Sequence, residues 1–213
     1  MRTNIILITT ALAFAACKKD DDSDAPATAP PTVPSAISEY SNLAIGNYWV
    51  YSIVQFDASN NETPTAYTDS VAVVGDSVVN GNTYYVLQGT RPLHSPGNPQ
   101  NYRSIMRDSA DCIVGVGGSV IFSLSNLGSV LHQAVIEPSG TLTWSTLPDQ
   151  VQHTVPAGTF TCYDTQGVTY YPGLPERTLH KLRGEGVGLV EESTVFLAAG
   201  SGFRKKLVSY YVQ

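Results

Sequence analysis

The sequence predicts an all-β domain: a single antiparallel, strongly curved sheet or incompletely closed barrel, with a β-sandwich as the alternative. Three observations carry this. From Tyr40 onward no segment sustains a helical period, and short runs rich in Val, Tyr, Ile and Thr recur between Gly, Pro, Asn and Asp. The composition, 42% hydrophobic and 14% charged with 18 Gly, 13 Pro and 12 Tyr, suits strands and tight turns. More than ten strand candidates crowd into about 170 residues, the size of one domain, and must bury a common face.

The chain ahead of the domain falls into two parts. Residues 1–16 read as a signal peptide: Arg2 supplies a positive start and 5–16 is an uncharged run, too short at about 1.5 Å per residue to cross about 30 Å of hydrocarbon. The run ends in Phe14-Ala15-Ala16-Cys17. Small residues before a cysteine resemble the bacterial lipobox, which implies that Cys17 is acylated and becomes the mature N-terminus, although Phe14 stands where an aliphatic residue is usual. The alternative is ordinary secretion with an incidental Cys17. Residues 17–39 read as the lipidated cysteine and a tether, because Lys18-Lys19-Asp20-Asp21-Asp22 cannot join a core and 25–35 holds four prolines. If wholly polyproline-like, the stretch from Lys18 to Glu39 reaches up to roughly 65 Å. Its start resembles Bacteroidota lipoproteins in which a lysine-plus-acidic run accompanies export to the outer face of the outer membrane; a solvated linker is the plainer reading.

The folded domain is expected over 40–213. Its first strand covers 47–54, followed by a polar turn through 59–64 and a strand over 67–74. The clearest hairpin joins Val78-Val79 to 83–87 through Asn80-Gly81, a pair that tolerates the positive φ of a type I′ turn. Further strands are predicted at 102–106, 112–116, 120–124, 130–136, 141–146, 150–155, 159–168, 179–183, 189–196 and 203–212. The longest loop, 89–101, contains Pro92, Pro96 and Pro99 and reads either as a lid or rim or as a proline-stiffened surface connection. Gly184, Gly186 and Gly188 alternate, so on an extended chain they would leave room for another backbone or a large ring.

Three motifs occur in order: Leu43-Ala44-Ile45-Gly46-Asn47-Tyr48-Trp49-Val50-Tyr51, Val155-Pro156-Ala157-Gly158-Thr159-Phe160 and Gly186-Val187-Gly188-Leu189-Val190. They resemble a loose group of Bacteroidota lipoproteins that has no agreed activity. The resemblance implies a fold similar to the curved, open barrels of lipoprotein carriers, which hold lipid or another hydrophobic ligand. It carries over no functional residue.

The chemistry that the sequence excludes is as informative as what it offers. Loss of Arg2 with the leader leaves 11 Lys+Arg against 18 Asp+Glu, a net of −7 that is unsuited to nucleic acid. The basic cluster Arg204-Lys205-Lys206 reads as a solvated strand edge. No Gly-x-Ser-x-Gly is present, and His94, His132, His153 and His180 lack metal-ligand spacing, so no catalytic residue, metal or cofactor is predicted. A glycan-acting hydrolase with dispersed carboxylates, from among Asp108, Asp111, Glu137 and Asp149, is the enzymatic alternative. Cys112 and Cys162 are a candidate disulfide, worth about 4 kcal/mol in the chain-entropy account, or two buried free thiols. Ser70, Ser77 and Ser109 lie in Asp-Ser-aliphatic tripeptides that resemble Bacteroidota O-glycosylation sites. The tyrosines are read mainly as packing residues, with sugar stacking as the alternative. The leading expectation is a non-enzymatic lipoprotein, anchored in the outer membrane by Cys17, that binds a hydrophobic ligand, a glycan or a protein partner. A structural subunit of an envelope assembly is the third reading.

Overall fold

In the computed structural model, which describes residues 36–213, the chain enters the fold at Ile37, whose side chain is fully buried. A single helical turn, α1 (Ser38–Ser41), follows and ends at Asn42, which takes a left-handed conformation (φ 50°) and donates its backbone N–H to Ser38 O. The rest is strand: β1 (Tyr48–Phe56), β2 (Glu62–Val79), β3 (Asn82–Gly89), β4 (Tyr102–Ser109), β5 (Cys112–Gly115), β6 (Val120–Ser123), β7 (Val130–Ile136), β8 (Gly140–Val155), β9 (Gly158–Tyr170), β10 (Arg177–Gly184), β11 (Gly188–Val195) and β12 (Gly202–Tyr211).

All twelve strands form one antiparallel sheet in the order β6-β5-β4-β3-β2-β1-β12-β11-β10-β9-β8-β7. Every pair of consecutive strands except β6 and β7 is hydrogen-bonded, and β1 pairs with β12, so the sheet is an up-and-down meander whose first and last strands lie at its centre. The two edges, β6 and β7, carry no ladder between them. The result is a nearly closed barrel with one unsealed seam, not a sandwich. The His132 side chain crosses the seam, its Nδ1 3.1 Å from Val120 O.

Local chemistry explains the turns. Asn80 and Gly81 take φ values of 50° and 77°, as the Asn-Gly hairpin requires, and Val79 pairs with Asn82 across them. The first turn is shorter than the sequence suggests. Asp57 Oδ1 accepts the backbone N–H of Ser59 and of Asn61, which closes the turn before Glu62 and frees Thr63 and Pro64 to pair with β1.

Two predicted interruptions are bulges within continuous strands. The ladder between β2 and β3 shifts between Val73 and Gly75, so Gly75 does not end the strand, and Leu147-Pro148-Asp149 bulge out of β8 between Thr146 and Gln150. The glycine run before β11 departs from the extended chain expected of it. Gly186 and Gly188 take φ values of 71° and 84° in a tight turn from β10 to β11. A large ring does pack there: Trp49 lies against Gly188 and donates its Nε1–H to Val187 O at 2.6 Å.

Two apolar clusters fill the barrel wall and one end. The larger gathers Trp49, Tyr51, Val71, Val73, Val190 and Leu207. The smaller closes one end with Ile37 and Tyr40 packed on Ile113 and Phe122, and the Tyr40 ring centroid lies 5.4 Å from that of Phe122.

Candidate binding cavity

Strand alternation points every second side chain at the barrel axis. Trp49 and Tyr51 of β1, Tyr102, Ser104 and Met106 of β4, and Lys181 and Arg183 of β10 meet there with Val71, Leu87, Ile121 and Leu189 around a cavity of about 270 Å³. Ser41 of α1 stands at its closed end. A second space, about 310 Å³, lies under Pro92, Leu93 and His94 and against Trp144 and Leu179. Tyr102, Lys181, Glu192 and Lys205 border both spaces and form a waist between an inner and an outer chamber.

The waist is ionic. Lys205 Nζ stands 2.8 Å from Glu192 Oε2 and 3.9 Å from Asp69 Oδ2, Lys181 Nζ stands 3.2 Å from Glu192 Oε1, and Tyr102 donates its hydroxyl to Asp69 Oδ2 at 2.6 Å. Lys205 also sits 5.1 Å from the Tyr51 ring centroid. Burial pushes the Glu192 carboxyl up, but Lys205 and Lys181 outweigh it and hold the group far below the usual carboxylate range. Burial pushes Lys205 down, yet Glu192 beside it raises its pKa. Burial raises the Tyr51 and Tyr102 phenols. The shifts keep Glu192 and Lys205 charged and the two phenols neutral.

Asp69 has a second task. Its Oδ1 accepts the backbone N–H groups of Thr90 and Arg91, each at 3.0 Å, and so pins the start of the proline-rich loop to β2. Arg91 then donates to Thr68 O and Pro96 O and covers the Tyr67 ring. The 89–101 segment is therefore a braced rim over the outer chamber. Gly89 permits this approach, since a Cβ there would overlap the Tyr102 ring.

Arg183 differs from its neighbours. It is only 7% exposed, its side chain forms no salt bridge or hydrogen bond with any described residue, and its Nε is buried without a partner. Burial lowers its pKa, and Glu192, Tyr51 and Asp108 act on it through space in the opposite sense. Asp108 is half-buried and accepts the Ser41 hydroxyl at 2.9 Å through Oδ2, while Oδ1 has no donor. Burial raises its pKa against the pull of Ser41 and Arg183.

No protein-family model matches the chain, and no curated protein matches it in sequence. Two solved structures are similar to it. One is described as an exported protein with a YmcC-like fold from Bacteroides fragilis, with a TM-score of 0.49 and 9% identity over 81% of this chain and 98% of that one. The other is described as a lipoprotein from Parabacteroides distasonis, with a TM-score of 0.45 and 12% identity over the same shares, 81% and 98%.

The residues singled out by sequence are dispersed. Cys17 lies outside the described residues. Cys112 and Cys162 stand as free thiols on β5 and β9, Cys112 3.3 Å from the Ser123 hydroxyl and Cys162 buried, with burial pushing its thiol up to about 12. Ser70 is exposed on β2, whereas Ser77 and Ser109 are half-buried. Of the four carboxylates, Asp108 alone is drawn to the interior; Asp111 and Glu137 lie exposed in turns and Asp149 in the β8 bulge, so no opposed pair forms among them. His180 Nδ1 meets Asp164 Oδ2 at 2.8 Å, but Ser193 Oγ accepts the His180 backbone N–H, which is not the arrangement of a nucleophile and its base. Among the described residues no three His, Cys, Asp or Glu side chains gather as metal ligands.

The basic cluster is corrected. β12 is paired on both sides, and alternation splits the three residues: Lys205 is buried in the waist, while Arg204 and Lys206 bind Glu62 at 2.7 and 2.6 Å. The signal was present in the sequence, since Lys205 shares its strand phase with Phe203 and Leu207.

Proposed function

We propose that this chain is a non-enzymatic lipoprotein of the cell envelope whose barrel takes a ligand with an apolar body into its interior. The observation that supports this is the two-chambered space, its inner part walled by Trp49, Leu87, Met106 and Leu189. Convex filling of the core by side chains, as in small barrels that bind nothing, would leave no such space. The carrier resemblance of the sequence motifs points the same way, and the Cys17 anchor with its tether would tie the domain to the outer membrane.

Both parts are testable. Protein purified without denaturation and extracted into organic solvent should release a small molecule detectable by mass spectrometry. Added 1-octanol or octanoate should change the fluorescence of Trp49 saturably, and the absence of saturation with both would overturn the cavity reading. Acyl labelling should mark the intact chain and not a Cys17→Ser chain; label retained on the serine variant would overturn the anchor.

A further inference from the structure

Among the described residues, the interior Arg183 guanidinium enters no ion pair. Lys181, Glu192, Lys205 and Asp69 are joined in a single connected set of ion pairs, and Arg183 stands outside it. A guanidinium carries five donors in a planar fork and does not shed its proton in a protein, so burying one without acceptors is costly unless something supplies them. Asp108 does not: it forms no ion pair with Arg183, and its unpartnered Oδ1 faces the same cost. The cavity that Arg183 lines is also bordered by Tyr51, Met106, Ile121 and Leu189, and by Ser41, whose hydroxyl is already given to Asp108.

We infer that the inner chamber is a site for a monoanionic amphiphile of the medium-chain carboxylate class, its carboxylate held bidentately by the Arg183 guanidinium and its chain lying along the Trp49, Val71 and Leu87 wall. This rests on the reading of the cavity as a ligand site and names the ligand's chemistry. The fork of Arg matches the two oxygens of a carboxylate, and a charge-assisted pair of this kind is strongest where water is excluded. The volume agrees. About 270 Å³ holds roughly nine water-sized groups at about 30 Å³ each, close to the ten heavy atoms of octanoate. A longer chain would pass the waist into the outer chamber. Glu192 and Asp108 both lie within electrostatic reach of Arg183 and oppose an incoming anion, so the site would favour a single negative charge over a phosphate dianion.

The experiment titrates the full chain with octanoate and with 1-octanol, following Trp49 fluorescence in a Trp144→Phe background. Octanoate should bind at least about tenfold more tightly than octanol. Arg183→Met should bring octanoate down to the octanol level and leave octanol unchanged. Asp108→Asn, which removes the opposing carboxylate, should tighten octanoate severalfold. Equal affinities for the two probes in the parent protein, or octanoate affinity retained in Arg183→Met, would overturn the inference while leaving the cavity reading in place. If Arg183→Met does not fold, the Asp108→Asn protein decides, and unchanged octanoate binding there overturns the inference. Failure of both probes to bind removes the inference together with the cavity reading.

Discussion

At the scale of single residues, the side chains that organise this protein are charges placed in the apolar phase of strands. Asp69 is fully buried and serves two masters, the Lys205 ammonium inside and the Thr90 and Arg91 amides at the rim. Asp69→Ala should cost about 3–5 kcal/mol, the usual penalty for stranding a buried ionic partner. It should also free the 89–101 segment, and a urea midpoint matching the parent's, with the loop still protected from protease, would refute both roles. The cysteines make a second residue-level case. In a Cys17→Ser chain without reductant, denaturation should expose two titratable thiols; in the folded state at pH 8 Cys162, with its thiol pushed up to about 12, should stay silent. A folded protein that yields no thiol after unfolding would instead establish the bridge. Sequence inspection left these two outcomes open because strand assignment alone does not say which strands are neighbours.

At the scale of elements, strands were legible where local chemistry sets them and illegible where only pairing does. The Asn80-Gly81 hairpin and β7 could be read directly, since turn residues and alternation suffice. The continuity of β2 through Gly75 and of β8 through Pro148 could not, because a bulge is a property of two strands in register, and the partner's position is not written locally. The same holds for Gly167, a residue without an obvious turn role. A Cβ there would stand 2.9 Å from three Trp144 ring carbons, so Gly167→Ala should destabilise by about 1–3 kcal/mol and move the indole from beneath Lys181. An unchanged unfolding midpoint would show that the ring has room to shift. The unsealed seam gives another test. Amides on the unpaired sides of β6 and β7 lack ladder partners and should exchange with solvent well before those of β1 and β12, which are paired on both sides. Equal protection across the sheet would mean that the barrel closes in solution.

For the whole molecule, the interior charges should set the pH range of stability. Glu192 has a folded pKa below its unfolded value of about 4.3, so its contribution is present above that value and is lost as pH falls through it. Lys205, Tyr51 and Tyr102 have folded values above their unfolded ones of about 10, so theirs is present below about 10 and is lost as pH rises further. Asp108 acts against Glu192 on the acid side, since its raised pKa favours folding when it is protonated. The urea midpoint should therefore be flat from about pH 5 to about pH 9 and fall at both ends; a steep change between pH 6 and pH 8 would contradict this assignment. The fold class was visible in composition and punctuation, but the cavity was not, because a cavity depends on which faces meet across the sheet.

The pairing of β1 with β12 also bears on the order in which the chain can fold as it emerges from its N-terminus. A chain that emerges N-terminus first delivers β1 first and its second neighbour last, so it can assemble the wing from β1 to β6 while the opposite flank of β1 stays bare. Asp69 emerges with that wing, and its ammonium partner, Lys205, arrives only with the final strand. The half-made protein therefore presents an open backbone edge together with a carboxylate that lacks its ammonium, and both are resolved in one late step.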